Sequence, residues 1–395
     1  MKPFPSPLRL LLPFLLSAAV LLGCGRSGTA PSAGGTATDT IAFKYARLIH
    51  VEQMADGSRL VTIGNPWKPG KALHRYLLVD GGEAIPSQQA AQGATQVRVP
   101  LRRSIIFTSV HAALVAELGA EAQVAGVADL KYIKVPFVQE GCRSGRIMDC
   151  GDGMNPLVEK IIDVQADAIL LSPFENSGGY GRLEDVDIPL VECAEYMEAS
   201  PLARAEWMRF YGMLYGRERQ ADSLFAIVDS SYQALCRQAR EAGQGRSVLV
   251  DKQTGAVWYV PGGRSTIGQM LLDAGARYAF AGDEHSGSLA LPFETVLEKA
   301  GEADVWLFRY DAADTITLGR LLAEQQGYRQ LRPVREAVSY ASSPIPHPTI
   351  YGCNVMTSMF YEESPFRPDL LLQDFIRIIH PDIDSLPPLR YYHCL

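Results

Sequence analysis

The sequence predicts an α/β protein of two lobes, each built on a parallel sheet and joined by one long rigid helix. Three observations carry this expectation. Short apolar runs alternate with amphipathic helical stretches through both halves of the chain, and such alternation gives parallel strands covered by helices. A pair of motifs recurs in the same order in each half. Between the halves lies a helical stripe that no Gly or Pro interrupts.

Strands are expected at 105–108, 124–127, 168–171 and 190–193 in the first half, and at 248–251, 257–260 and 305–308 in the second. The first repeated motif aligns Thr108-Ser109-Val110-His111 with Arg264-Ser265-Thr266-Ile267, and Gly119-Ala120 with Gly275-Ala276. Each copy reads as a loop with a capping hydroxyl, a short helix ended by glycine, then a strand. The second aligns Asn155-Pro156-Leu157-Val158-Glu159-Lys160-Ile161-Ile162, followed by Asp167-Ala168-Ile169-Leu170, with Leu291-Pro292-Phe293-Glu294-Thr295-Val296-Leu297 and Asp304-Val305. The first copy carries extra residues within 129–154. Two pairs in one order point to duplication.

The stretch 217–241 places Ala221, Leu224, Phe225, Val228, Tyr232, Leu235 and Cys236 on one helical face. A helix of about 25 residues spans roughly 40 Å, enough to join two lobes without a flexible loop. The stripe itself is core packing. Residues 41–95 look different, with Arg59-Leu60-Val61-Thr62-Ile63 and Tyr76-Leu77-Leu78-Val79 separated by Gly and Pro, and suggest antiparallel strands added to the first lobe.

At the start of the chain Lys2 and Arg9 precede an apolar stretch at 10–22, broken only by Pro13 and Ser17. It is shorter than the ~20 residues of a bilayer-spanning helix and suits a signal-peptide core. Leu21-Leu22-Gly23-Cys24 resembles a bacterial lipoprotein signal, which implies cleavage before Cys24 and lipid on its thiol. Residues 24–40, rich in Gly, Ser, Thr and Ala, read as a flexible tether. The expected organisation is a signal at 1–23, the tether at 24–40, a first lobe at 41–198, a helical linker at 199–243 and a second lobe at 244–395.

Composition excludes several classes. With 47% hydrophobic and 21% charged residues over 395 positions, the chain is that of a folded protein with sizeable cores. A net charge of −7 and no long basic run argue against a nucleic-acid partner. No Gly-rich phosphate loop, H-E-x-x-H pair or G-x-S-x-G elbow occurs, and no two histidines fall within five residues of each other. Seven cysteines include no C-x-x-C pair. Cys142 and Cys150 stay open between a disulfide and two free thiols.

Leader, tether, repeated lobes and connecting helix together resemble the class III solute-binding proteins of ABC importers, over about residues 100–385. The two motif pairs above carry most of that likeness. The segments Glu195-Tyr196-Met197-Glu198 through Glu206-Trp207, and Arg367-Pro368-Asp369-Leu370 with Ile379-His380-Pro381, resemble a subgroup common in Bacteroidetes-like bacteria. The resemblance implies two Rossmann-like lobes and no catalysis. It further implies capture of an iron–siderophore complex, haem or cobalamin, with no resident cofactor. The partners it implies are an ABC permease and its ATPase, with an outer-membrane TonB-dependent receptor system upstream and a lipid-anchored monomer in the periplasm. In that family a glutamate on each lobe docks onto permease arginines, which here match Glu159 and Glu294. An exported two-lobed hydrolase or a ligand-sensing receptor on the same scaffold is the alternative.

The cleft is expected to be lined by loops at the strand ends. The candidates are Ser109, His111, Tyr132, Phe174, Glu175, Asn176, Tyr180 and Tyr196 to Glu198 in the first lobe. Trp258, Tyr259, Gly262, Gly263, Arg264, His285, Arg309, Tyr310 and Tyr351 follow in the second. Aromatics beside arginines suit a large, flat or anionic chelate. Arg264 is singled out because it stands between glycines and a helix start. His111 or His285 would be the ligands if haem iron were bound directly.

Overall fold

The computed structural model of the chain describes residues 37–81, 93–175, 179–339 and 347–395. The leader, Cys24 and Asn176 lie outside them. The tether ends sooner than expected, because strand β1 already begins at Ala37.

An accessory sheet comes first: β1 (Ala37–Ile41), β2 (Ile49–Met54), β3 (Arg59–Gly64), β4 (Ala72–Asp80) and β5 (Thr95–Val99), paired in that order. β1 to β4 are antiparallel as the sequence suggests, while β5 joins parallel to β4. Alternation along the strands divides the apolar residues between two faces. Val51, Val61, Ile63, Tyr76 and Val97 enter the main core, and Met54, Leu60, Leu77 and Val79 form a separate cluster.

The first lobe runs β6 (Ser104–Ile106), α1 (Ser109–Glu117), β7 (Val124–Val127), α2 (Pro136–Arg143), β8 (Met148–Asp149), a hairpin of β9 (Gly151–Asp152) and β10 (Asn155–Pro156), α3 (Val158–Val164), β11 (Ala168–Leu171) and β12 (Leu190–Glu192). Its sheet has the order β12-β11-β6-β7-β8 and is wholly parallel. The chain leaves β6 first toward β7 and β8, then crosses to β11 and β12. The order therefore reverses between β6 and β11, where an open α/β sheet offers a crevice at its C-terminal edge.

α4 (Pro201–Glu206), α5 (Met208–Tyr215) and α6 (Glu218–Ala242) make the connection. Ala221, Phe225, Val228, Tyr232, Leu235 and Cys236 of α6 are buried, so the apolar stripe is core.

The second lobe contains β13 (Ser247–Val250), β14 (Gln253–Thr254), β15 (Val257–Pro261), α7 (Thr266–Asp273), β16 (Arg277–Tyr278), β17 (Ser288–Leu291), α8 (Phe293–Ala300), β18 (Val305–Tyr310), α9 (Leu318–Glu324), α10 (Arg332–Ser339), β19 (Ile350–Asn354), α11 (Phe360–Glu363), α12 (Pro368–Ile379) and β20 (His393–Cys394). The main sheet is β16-β13-β18-β19-β20, with only β20 antiparallel. The strand expected at 257–260 exists as β15 but does not join that sheet. It pairs antiparallel with β14 and β17 in a small sheet of its own. The order of the main sheet reverses between β13 and β18.

The C-terminal edges of the two sheets meet. The Lys134 ammonium, in the loop beyond β7, donates to the Val355 carbonyl just past β19. Behind them α1 packs on α11, and Tyr211 meets Phe366 edge-on at 5.7 Å. α12 packs along α6. No helix among the described residues is long and apolar enough to cross a membrane.

Candidate functional site

In the first lobe the crevice at the sheet reversal is a cavity of about 450 Å³. Phe107 and Thr108 from the end of β6, and Leu171, Ser172 and Phe174 from the end of β11, form its floor; Tyr180, Gly181 and Arg182 form one side. Thr108, not Ser109, caps α1: its Oγ accepts from the His111 N–H at 3.2 Å. The repeat alignment is thus one residue out at the cap, since Ser265 is the matching cap of α7. Phe174 is 43% exposed. The Tyr180 hydroxyl donates to Glu192 at 2.7 Å. Burial pushes its pKa up first, and the bond to the carboxylate adds to that. The half-buried Tyr196 donates its hydroxyl to the Pro173 carbonyl and so holds the loop from beneath.

Two first-lobe candidates are corrected. His111 lies on the inner face of α1, wholly buried, 3.5 Å from the Glu195 carboxylate and against the Tyr211 ring. An imidazole sealed there cannot reach a solute in the cleft. Glu198 is buried too: it accepts from the backbone N–H groups of Arg47 and Leu48 and from the Trp207 indole. Its role is to fasten the accessory sheet.

In the second lobe the reversal between β13 and β18 is occupied by an ion pair. Arg309 at the end of β18 grips Asp251 with two bonds, at 2.9 and 2.6 Å. Burial works against the Arg309 charge, but Asp251 more than offsets it and keeps the guanidinium protonated. Asp251 holds a left-handed backbone (φ 60°), a strained conformation for a residue with a side chain. The guanidinium lies 5.6 Å from the Phe360 ring centre and 5.9 Å from that of Tyr361. Asp251 and Tyr361 were missed in the sequence; the signal available was an acidic residue at the very end of an apolar strand.

Tyr259 is 47% exposed on the small sheet. Arg264 at the foot of α7 is exposed and pairs with Glu284 at 2.8 Å, while exposed His285 stands 3.0 Å from Asp283. Gly262 and Gly263 are required by close approach: a Cβ on either would lie 2.4 Å from the carbonyl of His285 or Ala281. Two further candidates are corrected. Trp258 is fully buried, donates to the Val250 carbonyl and packs on Phe293, Trp306 and Tyr328. It faces inward because Tyr259, its neighbour on the strand, faces out. Tyr351 is buried near the start of β19, at the sheet edge opposite the cleft.

Glu159 and Glu294 are both exposed in the first turns of α3 and α8, helices that begin at the cleft edge of their lobes. Glu159 is held below the usual carboxylate range by the N–H at its helix start and by Arg182, 3.3 Å away. Cys142 and Cys150 are free thiols, and burial pushes Cys150 up to about 12.

The model of the periplasmic binding protein family matches residues 105–336. An uncharacterized lipoprotein from Methanocaldococcus jannaschii is 23% identical over 359 residues, 86% of this chain and 82% of its own. A periplasmic heme binding protein from Pseudomonas aeruginosa aligns with a TM-score of 0.56 at 12% identity, over 74% of this chain and 98% of its own. The molybdate periplasmic binding protein MolA from Haemophilus influenzae gives 0.54 at 14% identity, over 73% and 90%. At these identities the likeness is one of fold.

Proposed function

This chain belongs to the periplasmic binding protein family, a family of solute carriers for ABC transporters and not of enzymes, and we propose that its solute is a metal chelate with a broad apolar surface: an iron–siderophore complex, haem or cobalamin. One observation carries this reading. Among the described residues the strongly exposed aromatic rings are Tyr132, Phe174, Tyr259 and Tyr361. All four sit in segments at the C-terminal edges of the two sheets, where the lobes face each other. Large rings left in water mark a surface that a partner covers. A small oxoanion would need convergent donors instead, and here Arg309 and Arg264 already hold carboxylates.

In this reading the rings sandwich the chelate and Arg309 faces its polar rim. The loaded protein then docks through Glu159 and Glu294 on an ABC permease, which works with its ATPase. Lipid on Cys24 would keep the carrier at the membrane.

Titration calorimetry with haemin, ferrioxamine B, cyanocobalamin and molybdate tests the solute class. One chelate should bind with a dissociation constant below about 10 µM, and Tyr361→Ala should weaken it about tenfold. Binding of molybdate with none of the three chelates would overturn the reading.

A further inference from the structure

A chain of hydrogen bonds runs from the accessory sheet to the cleft. His74 on β4 places Nδ1 3.0 Å from one Glu192 oxygen and Nε2 2.7 Å from the Thr95 hydroxyl on β5. The other Glu192 oxygen accepts the Tyr180 hydroxyl at 2.7 Å. A carboxylate only accepts, so Nδ1 carries the hydrogen and the imidazole orientation is fixed. The His74 ring stacks on Tyr76 at 4.5 Å, and the Tyr76 hydroxyl accepts from the Glu192 N–H at 2.9 Å. Glu192 itself is buried. The last member is Tyr180, whose ring lines the cleft and whose backbone N–H donates to Glu184 at 2.6 Å.

Packing holds the foot of that wall, since Leu183 is buried among Ile105, Phe107, Ile169 and Leu171 and Tyr180 packs against the same cluster. The turn that follows Tyr180 faces the 450 Å³ cavity in front, through Gly181, Arg182 and Leu183. Behind it lies a second cavity of about 440 Å³, between Leu183, Glu184 and the 186–190 segment on one side and His74 and Thr95 on the other. Packing places the ring, and the directional bond from its hydroxyl to Glu192 sets where its polar end points.

We propose that His74 and Glu192 are positioning residues through which the accessory sheet sets the first-lobe wall of the solute cleft. The inference rests on the reading that solute lies against this wall. It gives the accessory sheet a function: the shape of the pocket depends on residues that never touch the solute.

The test uses the tightest-binding probe among haemin, ferrioxamine B and cyanocobalamin. Tyr180→Ala removes the ring and should weaken that probe tenfold or more. Tyr180→Phe keeps the ring and loses only the tether; His74→Phe keeps the stack on Tyr76 and loses both of its bonds. Each should weaken the probe roughly three- to tenfold. The double variant should be no weaker than either single, because both cut one chain. Glu192→Gln keeps the shape; its amide oxygen can accept the Tyr180 hydroxyl while its amide N–H donates to His74 Nδ1 in the other tautomer, so affinity should stay near normal. Unchanged affinity in His74→Phe beside a loss in Tyr180→Phe, or additive losses in the double, would overturn the relay. Unchanged affinity in Tyr180→Ala would instead overturn the solute reading. The relay is then judged on the free protein: amide exchange at 181–185 must quicken in His74→Phe, and unchanged exchange refutes it.

Discussion

Set side by side, the two lobes share four parallel strands, β7-β6-β11-β12 in the first and β16-β13-β18-β19 in the second. The first adds β8 within the extra residues noted at 129–154, and the second adds β20. Their cleft edges are built on different principles. In the first lobe the reversal point is an open cavity lined by Tyr180, whose hydroxyl bonds Glu192; in the second it is closed by the Asp251–Arg309 pair beneath aromatic rings. The repeated sheet thus carries an open crevice in one lobe and a filled one in the other. What stays alike is the way each lobe ties down a chain extension. Glu206 accepts three successive N–H groups, from Lys44, Tyr45 and Ala46, and Asp374 accepts those of Arg390, Tyr391 and Tyr392.

Breaking these ties should give the largest effects. Asp374→Ala strands N–H groups at buried Tyr391 and Tyr392 and should lower stability by about 3–5 kcal/mol. Glu206→Ala should lower it by about 2–3 kcal/mol, because Tyr45 is only half-buried where Tyr391 is buried, so water takes up part of the loss. Urea unfolding measures both. Equal losses would show that exposure does not govern the difference.

The docking face sharpens the comparison at a lower level. Removal of both Glu159 and Glu294 should cut chelate uptake in cells about tenfold and leave calorimetric affinity intact. The single variants should differ. Glu159→Ala leaves the Arg182 guanidinium without its partner, facing the permease arginine, whereas no ion pair is recorded for Glu294 among the described residues. Glu159→Ala should therefore be the worse of the two, and Arg182→Ala added to it should recover part of the loss. Normal uptake in the double variant would remove the docking assignment.

Much of this plan was legible because periodicity reports burial. The strands, the long helix and the repeat all announce themselves as apolar spacing, and the aspartates of the second motif turn out to have one task in both lobes. The cleft was less legible, for a physical reason. Side chains alternate along a strand, so Trp258 and Tyr259 are equal candidates in sequence while only Tyr259 faces water. His111 looks like a ligand by type, and only the packing of α1 against Glu195 and Tyr211 shows it sealed. The Glu195-to-Trp207 segment stood out without a mechanism. Its glutamates Glu198 and Glu206 fasten backbone more than 100 residues away, which no local pattern encodes.

The smallest effects should come from that shared aspartate. Asp167 precedes β11 and accepts the N–H groups of Arg102 and Arg103 at 2.6 and 2.8 Å, ahead of β6. Asp304 precedes β18 and accepts the Ser247 N–H and hydroxyl, both at 2.7 Å, at the start of β13. Each thus ties the third core strand to the first. Asp304 is additionally paired with Arg277 and Arg332. Burial opposes its charge, but the Ser247 bonds and the two arginines outweigh that and hold its pKa below the ordinary 3.8. A depressed carboxylate contributes stability that is complete above the unfolded pKa and is lost as pH falls through the folded one. Asp304→Asn keeps an acceptor for Ser247 and loses the charge. Near neutral pH it should cost about 1–2 kcal/mol, against about 0.5 kcal/mol for Asp167→Asn, whose carboxylate pairs with no arginine among the described residues. The Asp304 gap should close as pH drops below about 4. Urea unfolding of both variants beside the wild type at several pH values reads this directly. A gap that stays constant with pH would mean that Asp304 acts through shape alone, and that the two lobes use their aspartates in the same way.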